Sequence, residues 1–192
     1  MTEDYSKYYF LEKYLEDEVN INFHRNKVLT TKEFFSIVIW KSNRPKKQIA
    51  ASIAKNANGN LTEGVKFLTN QLYTATNHET RMGILLDLDG IGLPMASAIL
   101  TILYPNDFTI YDYRVAGELY KKVEKKPVDL TNIGDKQNRW KAYLQFVKDV
   151  RNWEGSESQS LRTKDQCLWG KSFHDQLEED LESMFNGKRL DI

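Results

Sequence analysis

The sequence predicts an all-α fold, and two observations lead to this prediction. Helix-capping patterns recur ahead of segments with apolar residues at helical spacing, as at Thr30 and Asn60. No rhythm of short apolar strands alternating with helices emerges that would indicate a parallel sheet. At 192 residues with 41% hydrophobic content, the chain can bury one core, so we expect residues 1–192 to form a single compact, two-lobed helical bundle.

In the first half of the chain, most predicted helices begin at a recognisable cap. Residues 5–19 mix apolar and charged side chains at helical spacing. Thr30-x-x-Glu33 forms a capping box, which favours a helix over a buried strand for the apolar run that follows. Pro45 suits the first position of a helix that "NANGN" ends, and Asn60 caps the helix after it.

The second half continues in the same way. Thr76-x-x-Glu79 opens a helix that runs to about Leu88, and Pro94 starts the next one. Asp112 can cap the segment "YRVAGELYKKV". Apolar spacing then predicts a helix through 140–150 and, after the loop "EGSESQS", two closing helices near 168 and 177–184.

Charge and cysteine content limit the classes of function. The 27 basic residues balance 27 acidic ones, so no global field indicates a nucleic-acid partner, although a local patch could still bind DNA. The one cysteine, Cys167, excludes an internal disulfide and a zinc site built from cysteines, and it suits a reducing cytoplasm. The N-terminus is too charged for a signal peptide or a membrane span. The histidines lack metal-ligand spacing, so no metal site is predicted.

The stretch "LLDLDGIGLP" (Leu85–Pro94) allows three interpretations, of which two fail on their own chemistry. A phosphatase nucleophile motif of the haloacid dehalogenase type needs a parallel strand before it and an acidic pair later, and the sequence predicts neither. A calcium loop counted from Asp87 has Ala98 at the position that requires a bidentate carboxylate.

The third interpretation, a helix–hairpin–helix motif over about 77–104, fits at several points. One helix ends near Leu88, Gly90 and Gly92 permit a tight turn with positive φ, and Pro94 starts the second helix. The exposed amides of the turn and of the helix N-terminus would suit a phosphate. A glycine turn between two packed helices, with no ligand, is the alternative.

The longer stretch "GIGLPMASAILTILYPNDFTIYDYRV" resembles the helix–hairpin–helix superfamily of DNA glycosylases, which includes endonuclease III and the adenine and 8-oxoguanine glycosylases. The family pattern is Leu-x-Gly-(Ile/Val)-Gly, a helix of small residues, and an apolar stretch ending in a catalytic Asp. Asp112 takes that position, 20 residues after Gly92 as in the family. The resemblance covers about Arg81–Tyr120, and "WKSNR" and "LRTKDQCLW" are similar to segments of short, poorly characterised bacterial members.

The resemblance implies a DNA glycosylase with three groups of site residues. Asp112, in a segment of about 108–124, would stabilise the positive charge that develops on the sugar, and we expect its carboxylate to face open space in a cleft. Contacts with double-stranded DNA are expected from the hairpin and from a basic strip: Gly90, Ile91, Gly92, Leu93, Met95, Lys41, Arg44, Lys46 and Lys47. The candidates for a pocket around a flipped base are Trp40, Tyr111, Tyr113 and Arg114.

Departures from the family pattern narrow this prediction. Pro94 occupies the position of the Schiff-base lysine, so we expect a monofunctional enzyme without β-lyase activity. Asp89 replaces a frequent proline and puts an acid beside the proposed phosphate. We expect a monomer without a cofactor, apart from a monovalent cation that the hairpin turn could hold. The alternative function is a non-catalytic module that binds DNA or a protein, with Asp112 as an ordinary helix cap.

Overall fold

The computed structural model of the protein describes residues 5–123, 129–156 and 160–185. Within these ranges the regular elements are helical and no strand occurs, which confirms the all-α prediction. The α-helices are α1 (Leu11–Tyr14), α2 (Asn20–Asn26), α3 (Thr31–Lys41), α4 (Lys46–Lys55), α5 (Leu61–Thr74), α6 (His78–Leu86), α7 (Leu93–Leu103), α8 (Tyr113–Leu119), α9 (Lys136–Asn152) and α10 (Leu161–Phe185). A π-helical turn (Leu15–Val19) joins α1 to α2, and short 3₁₀ helices cover Tyr5–Tyr8 and Leu130–Asn132. Within these ranges no helix is long and apolar enough to cross a membrane.

The N-terminal helical segment extends further than the sequence predicted. It continues past Val19 to Asn26, where Lys27 adopts the left-handed conformation with φ 63°. Leu15, Val19 and Phe23 are fully buried along it. Polar residues on the same segment obscured the pattern, and one of them, Asn20, donates its side-chain amide to the carbonyl of Ile102 at 2.7 Å.

The C-terminal region differs from the prediction of two closing helices. It forms the single helix α10, and Gly170 lies within it without breaking it. The first half of α10 contributes buried Leu161 and Leu168, whereas residues 176–184 are all exposed. Residues 157–159 of the predicted loop and residue 124, the predicted end of the catalytic-Asp segment, lie outside the described residues.

Helix α7 lies at the centre of the fold. Leu93 and every residue from Met95 to Leu103 are buried, as expected for a helix that is apolar on all sides. Helices α2, α3 and α6 pack against it. One core cluster extends from Tyr14 to Leu168, so most of the described helices share the same core. The division into two lobes stays a prediction.

Helices α6 and α7 pack together and are joined by a short turn over residues 87–92. The cap of α6 is Asn77, whose side chain accepts the amide of Thr80 at 2.8 Å, rather than the predicted Thr76. Gly90 has φ +89°, as predicted. Gly92 does not: its φ is −92° and it serves as the extended N-cap residue of α7. Only one of the two glycines therefore needs the left-handed conformation.

Candidate functional site

The segment that leads to Asp112 is held by side chains from three different helices. Tyr143 of α9 accepts the amide of Thr109 and donates its hydroxyl to the Thr109 carbonyl at 2.7 Å. The carboxylate of Asp165 on α10 accepts the amide of Ile110. Ser97 of α7 accepts the amide of Tyr111 at 3.0 Å. Three consecutive backbone positions are thus fixed before the chain reaches Asp112.

Asp112 is the N-cap residue of α8, and both of its carboxylate oxygens have partners. Oδ1 accepts the amide of Arg114 at 3.0 Å, and Oδ2 accepts the ammonium of Lys41 at 2.8 Å. The side chains of Asp112 and Lys41 are 17% and 19% exposed, so the pair is largely withdrawn from solvent. The carboxylate lies in a cleft, but one oxygen faces a lysine rather than the open space that the sequence analysis expected.

Two clefts meet at this ion pair. The first has a volume of about 550 Å³ and the second about 410 Å³, both within the usual size of small-molecule sites. Lys41, Asp112 and Tyr113 line both of them. The carboxylate therefore lies on the wall that separates two cavities, and a group bound on either side would come close to it.

The far wall of the larger cleft comes from α10. Arg162, Asp165, Gln166 and Trp169 line it, and they follow the helical spacing i, i+3, i+4 and i+7. All four belong to "LRTKDQCLW", a segment to which the sequence analysis assigned no role. Their common helical face was the available signal, but only the structure brings that face opposite Asp112.

Arg162, Glu12 and Asp165 form a charged cluster in the larger cleft. Arg162 donates its Nε to Glu12 at 2.7 Å and also contacts Asp165, and its guanidinium lies 5.5 Å from the centre of the Trp40 ring. Asp165 is only 2% exposed. Burial raises the pKa of Asp165 to about 6, although the neighbouring Arg162 acts to lower it. Glu12 was not predicted as a site residue.

The predicted base-pocket residues lie in different environments. Trp40 is half-buried in the larger cleft beneath Arg162. Tyr113 is 75% exposed at the cleft surface. Tyr111 is buried, and its hydroxyl donates to Asp129 at 3.1 Å while it accepts the amide of Leu130, so its polar end is already bonded.

The apolar side chains of the hairpin residues are not exposed to solvent. Ile91, Leu93 and Met95 are buried in the core, so they can offer only backbone groups to a ligand. The amides of Gly92 and Leu93 have no hydrogen-bond partner in the described ranges. An anion at the start of α7 would therefore be bound by backbone N–H groups alone.

The predicted basic strip is divided between two places. Arg44 and Lys47 are exposed near the start of α4, and Lys46 is bonded to Asn43. The next residues of α4, Gln48 and Ile49, border Gly90 of the hairpin, so the start of α4 lies near the turn. Lys41, in contrast, is committed to Asp112.

The comparisons with known proteins identify no relative: no family model, no curated protein and no solved structure matches the chain. Membership of the glycosylase superfamily therefore stays a prediction from the motif over about 81–120. In the described ranges, no group of three His, Cys, Asp or Glu residues is arranged to hold a metal ion.

Proposed function

We propose that the protein is a monofunctional DNA glycosylase-like hydrolase that cleaves the N-glycosidic bond of a damaged or modified base flipped into the larger cleft. The single observation that carries this proposal is the position of Asp112. It is a largely buried carboxylate, fixed through the hydrogen bonds of Thr109, Ile110 and Tyr111, on the wall between two clefts.

The chemistry of glycosidic cleavage suits such a carboxylate. As the base leaves, positive charge develops on the sugar, and a fixed negative group nearby lowers the energy of that state. The same carboxylate can orient the attacking water. With the base in one cleft and the sugar beside Asp112, the second cleft would leave room for water to approach.

Lys41 has two roles in the proposed reaction. In the free protein its ammonium holds Asp112 in place at 2.8 Å. With a substrate bound, the same ammonium lies beside the departing base and can donate a hydrogen bond or a proton to it. The pair would thus supply both a carboxylate for the sugar and an acid for the leaving group.

DNA binding would use the hairpin and the adjacent basic residues. The amides of Gly92 and Leu93 would bind one phosphate, and Arg44 and Lys47 would contact its neighbours. Because few basic residues take part, affinity should fall only shallowly as salt increases.

A panel of oligonucleotides, each carrying a different base lesion, tests the proposal. Wild-type protein should generate abasic sites in at least one of them, and Asp112→Asn should not. Asp107→Asn is a matched control, because Asp107 is an exposed carboxylate just before the same segment. Equal base release by wild type and Asp112→Asn would refute the catalytic role.

A non-catalytic DNA-binding module is the second candidate. The observation that favours it is that both oxygens of Asp112 already have structural partners, Lys41 and the amide of Arg114. A module would bind DNA through the hairpin and release no base from any oligonucleotide of the panel, with or without the substitution.

A further inference from the structure

Four side chains form a cation–aromatic surface at the mouth of the larger cleft. We name it the aromatic platform, and it consists of Tyr113, Arg114, Trp169 and Phe173. The Trp169 and Phe173 rings lie one turn apart on α10, parallel to within 6° and with centres 5.7 Å apart. The Arg114 guanidinium carbon lies 5.6 Å and 5.8 Å from those centres and 5.4 Å from the Tyr113 ring.

The platform faces solvent although it is built from large rings. Tyr113, Trp169 and Phe173 are all exposed, and Trp169 also lines the cleft. In the described ranges no carboxylate pairs with Arg114, so its charge is free to meet a ligand. Scattered exposed aromatics need no explanation, but a contiguous set beside a cleft marks an interaction site.

Ion pairs hold the two supporting helices together beneath the platform. Lys171 of α10 contacts Glu118 of α8 at 2.7 Å and Asp175 at 2.8 Å, and Lys121 contacts Asp175 at 2.8 Å. These contacts neutralise the carboxylates of Glu118 and Asp175. They lower the pKa of Asp175 to about 2, so it stays ionised and paired. The surface is therefore preorganised and is not shielded by negative charge.

We propose that the aromatic platform stacks an unpaired nucleobase next to the cleft, with Arg114 contacting the phosphate of the same strand. This inference rests on the proposed function and specifies its substrate as DNA with unpaired bases around the target. A paired base hides both faces in the stack, whereas an unpaired base can lie on an aromatic ring or on a guanidinium plane. Because the acidic and basic residues of the chain balance, its electrostatic attraction to a duplex backbone is weak. Stacking is therefore the larger source of affinity.

A protein helix is the competing occupant. The exposed apolar stripe of α10 continues from Phe173 to Leu177 and Leu181, which a partner helix could cover. The guanidinium held over three rings and the position at the cleft mouth favour a nucleobase instead, because an aliphatic partner would bury that charge without pairing it.

Fluorescence anisotropy at one fixed, low salt concentration tests the proposal with three labelled probes. They are a single-stranded oligonucleotide, the matched duplex, and a single-stranded oligomer of the same length whose sugars carry no bases. Wild-type protein should bind the single strand roughly tenfold more tightly than the other two probes. Equal affinity for all three would overturn the proposal, whatever the outcome of the base-release assay.

Variants locate the stacking site. Trp169→Ala and Phe173→Ala should each weaken single-strand binding by roughly tenfold and leave duplex binding unchanged. Trp169→Tyr should restore most of the loss, which separates stacking from a folding defect. Phe67→Ala is the matched control, since Phe67 is an exposed aromatic on α5.

Two further measurements keep the inference separate from its alternatives. Asp112→Asn should retain single-strand binding. The stacking proposal can therefore be tested even if Asp112 proves not to be catalytic. Sedimentation of the free protein should be the same for wild type and Trp169→Ala. A Trp169→Ala substitution that dissociates an oligomer without changing DNA binding would assign the platform to a protein interface and refute the nucleobase.

Discussion

Lys41 and Asp112 are separated by 71 residues along the chain and meet at 2.8 Å. The lysine ends α3 and the aspartate caps α8, so the contact ties the last turn of one helix to the first turn of another. The pair lies where both clefts meet and lines both of them.

Asp112→Asn should lower base release by on the order of 10²-fold or more, because the fixed negative charge is lost. Asn caps a helix about as well as Asp, so the cap is kept. The free energy of unfolding should nevertheless fall by about 1–2 kcal/mol, because Lys41 keeps its charge without a charged partner. Single-turnover assays and urea unfolding measure the two effects. A stable variant that releases bases at the wild-type rate would contradict the catalytic assignment.

A double-mutant cycle with Lys41→Met and Asp112→Asn should give a coupling of about 1–2 kcal/mol in unfolding free energy, since the pair is mostly buried and well aligned. The exposed pair Glu63–Lys66 provides the control and should give about 0–0.5 kcal/mol. Similar values for both cycles would mean that the Lys41–Asp112 contact contributes no more than a surface ion pair.

Gly90 and Gly92 should respond differently to alanine. At Gly90 the backbone has φ +89°, and an added Cβ would lie 3.1 Å from Ile49 and 3.2 Å from Gln48. Gly90→Ala should therefore cost about 1–2 kcal/mol of stability. At Gly92 the backbone is extended and the nearest atom to a Cβ is 3.8 Å away, so Gly92→Ala should be nearly neutral. Thermal unfolding of both variants distinguishes the two sites, and equal losses would contradict the turn geometry.

Gly92→Asp provides a test of phosphate binding that does not disturb the fold. Asp is a favourable N-cap residue, so the stability of the variant should hold or rise slightly. Its carboxylate would lie beside the backbone amide of Leu93 and repel a phosphate, and affinity for a DNA duplex should fall roughly tenfold. Gly92→Ser adds a cap without the charge and should bind like wild type. Unchanged binding by a folded Gly92→Asp protein would remove the hairpin from the interface.

Asp165 should make the protein less stable as pH rises from about 4 to about 6. Burial raises its folded-state pKa to about 6 from an ordinary 3.8, so in this window the folded state binds the proton more tightly than the unfolded state does. The stabilising effect is complete below pH 4 and is lost above pH 6, with a total of roughly 3 kcal/mol.

Asp165→Asn isolates this contribution. As pH rises from about 4 to about 6, the unfolding free energy of wild type should fall relative to that of the variant. The contributions of the other carboxylates are the same in both proteins and cancel in this difference. Urea unfolding at pH 4, 5, 6 and 7 measures the difference. A flat difference curve would mean that Arg162 holds the carboxylate at its ordinary pKa.

Local patterns predicted much of the fold but little of the cleft. The capping box at Thr30 is present, and Asn60 and Asp112 cap the helices that they were expected to begin. These features depend on residues two or three positions apart, which a single sequence displays. The end of the first helical segment was missed because polar Asn20 lies where an apolar residue was expected and bonds across the core to Ile102.

The contacts that build the site are long-range, and a sequence without an alignment carries no record of them. Glu12 meets Arg162 across 150 positions, and Lys41 meets Asp112 across 71. Lys41 was expected on a basic strip because it neighbours other basic residues, yet the end of α3 directs it into the cleft. The sequence shows which residues are charged, but tertiary packing determines which of them form ion pairs.

The π-helical turn at Leu15–Val19 amounts to one extra residue in an otherwise regular helix. A regular α-helix advances by about 100° per residue, so a chain lacking one residue there would carry Glu12 on a different face, turned away from Arg162. In evolutionary terms, the Glu12–Arg162 contact depends on helix register as well as on the two side chains. A single insertion or deletion between Leu15 and Val19 would therefore remove the Glu12–Arg162 contact from the cleft wall in one step, without any substitution among the residues that line it.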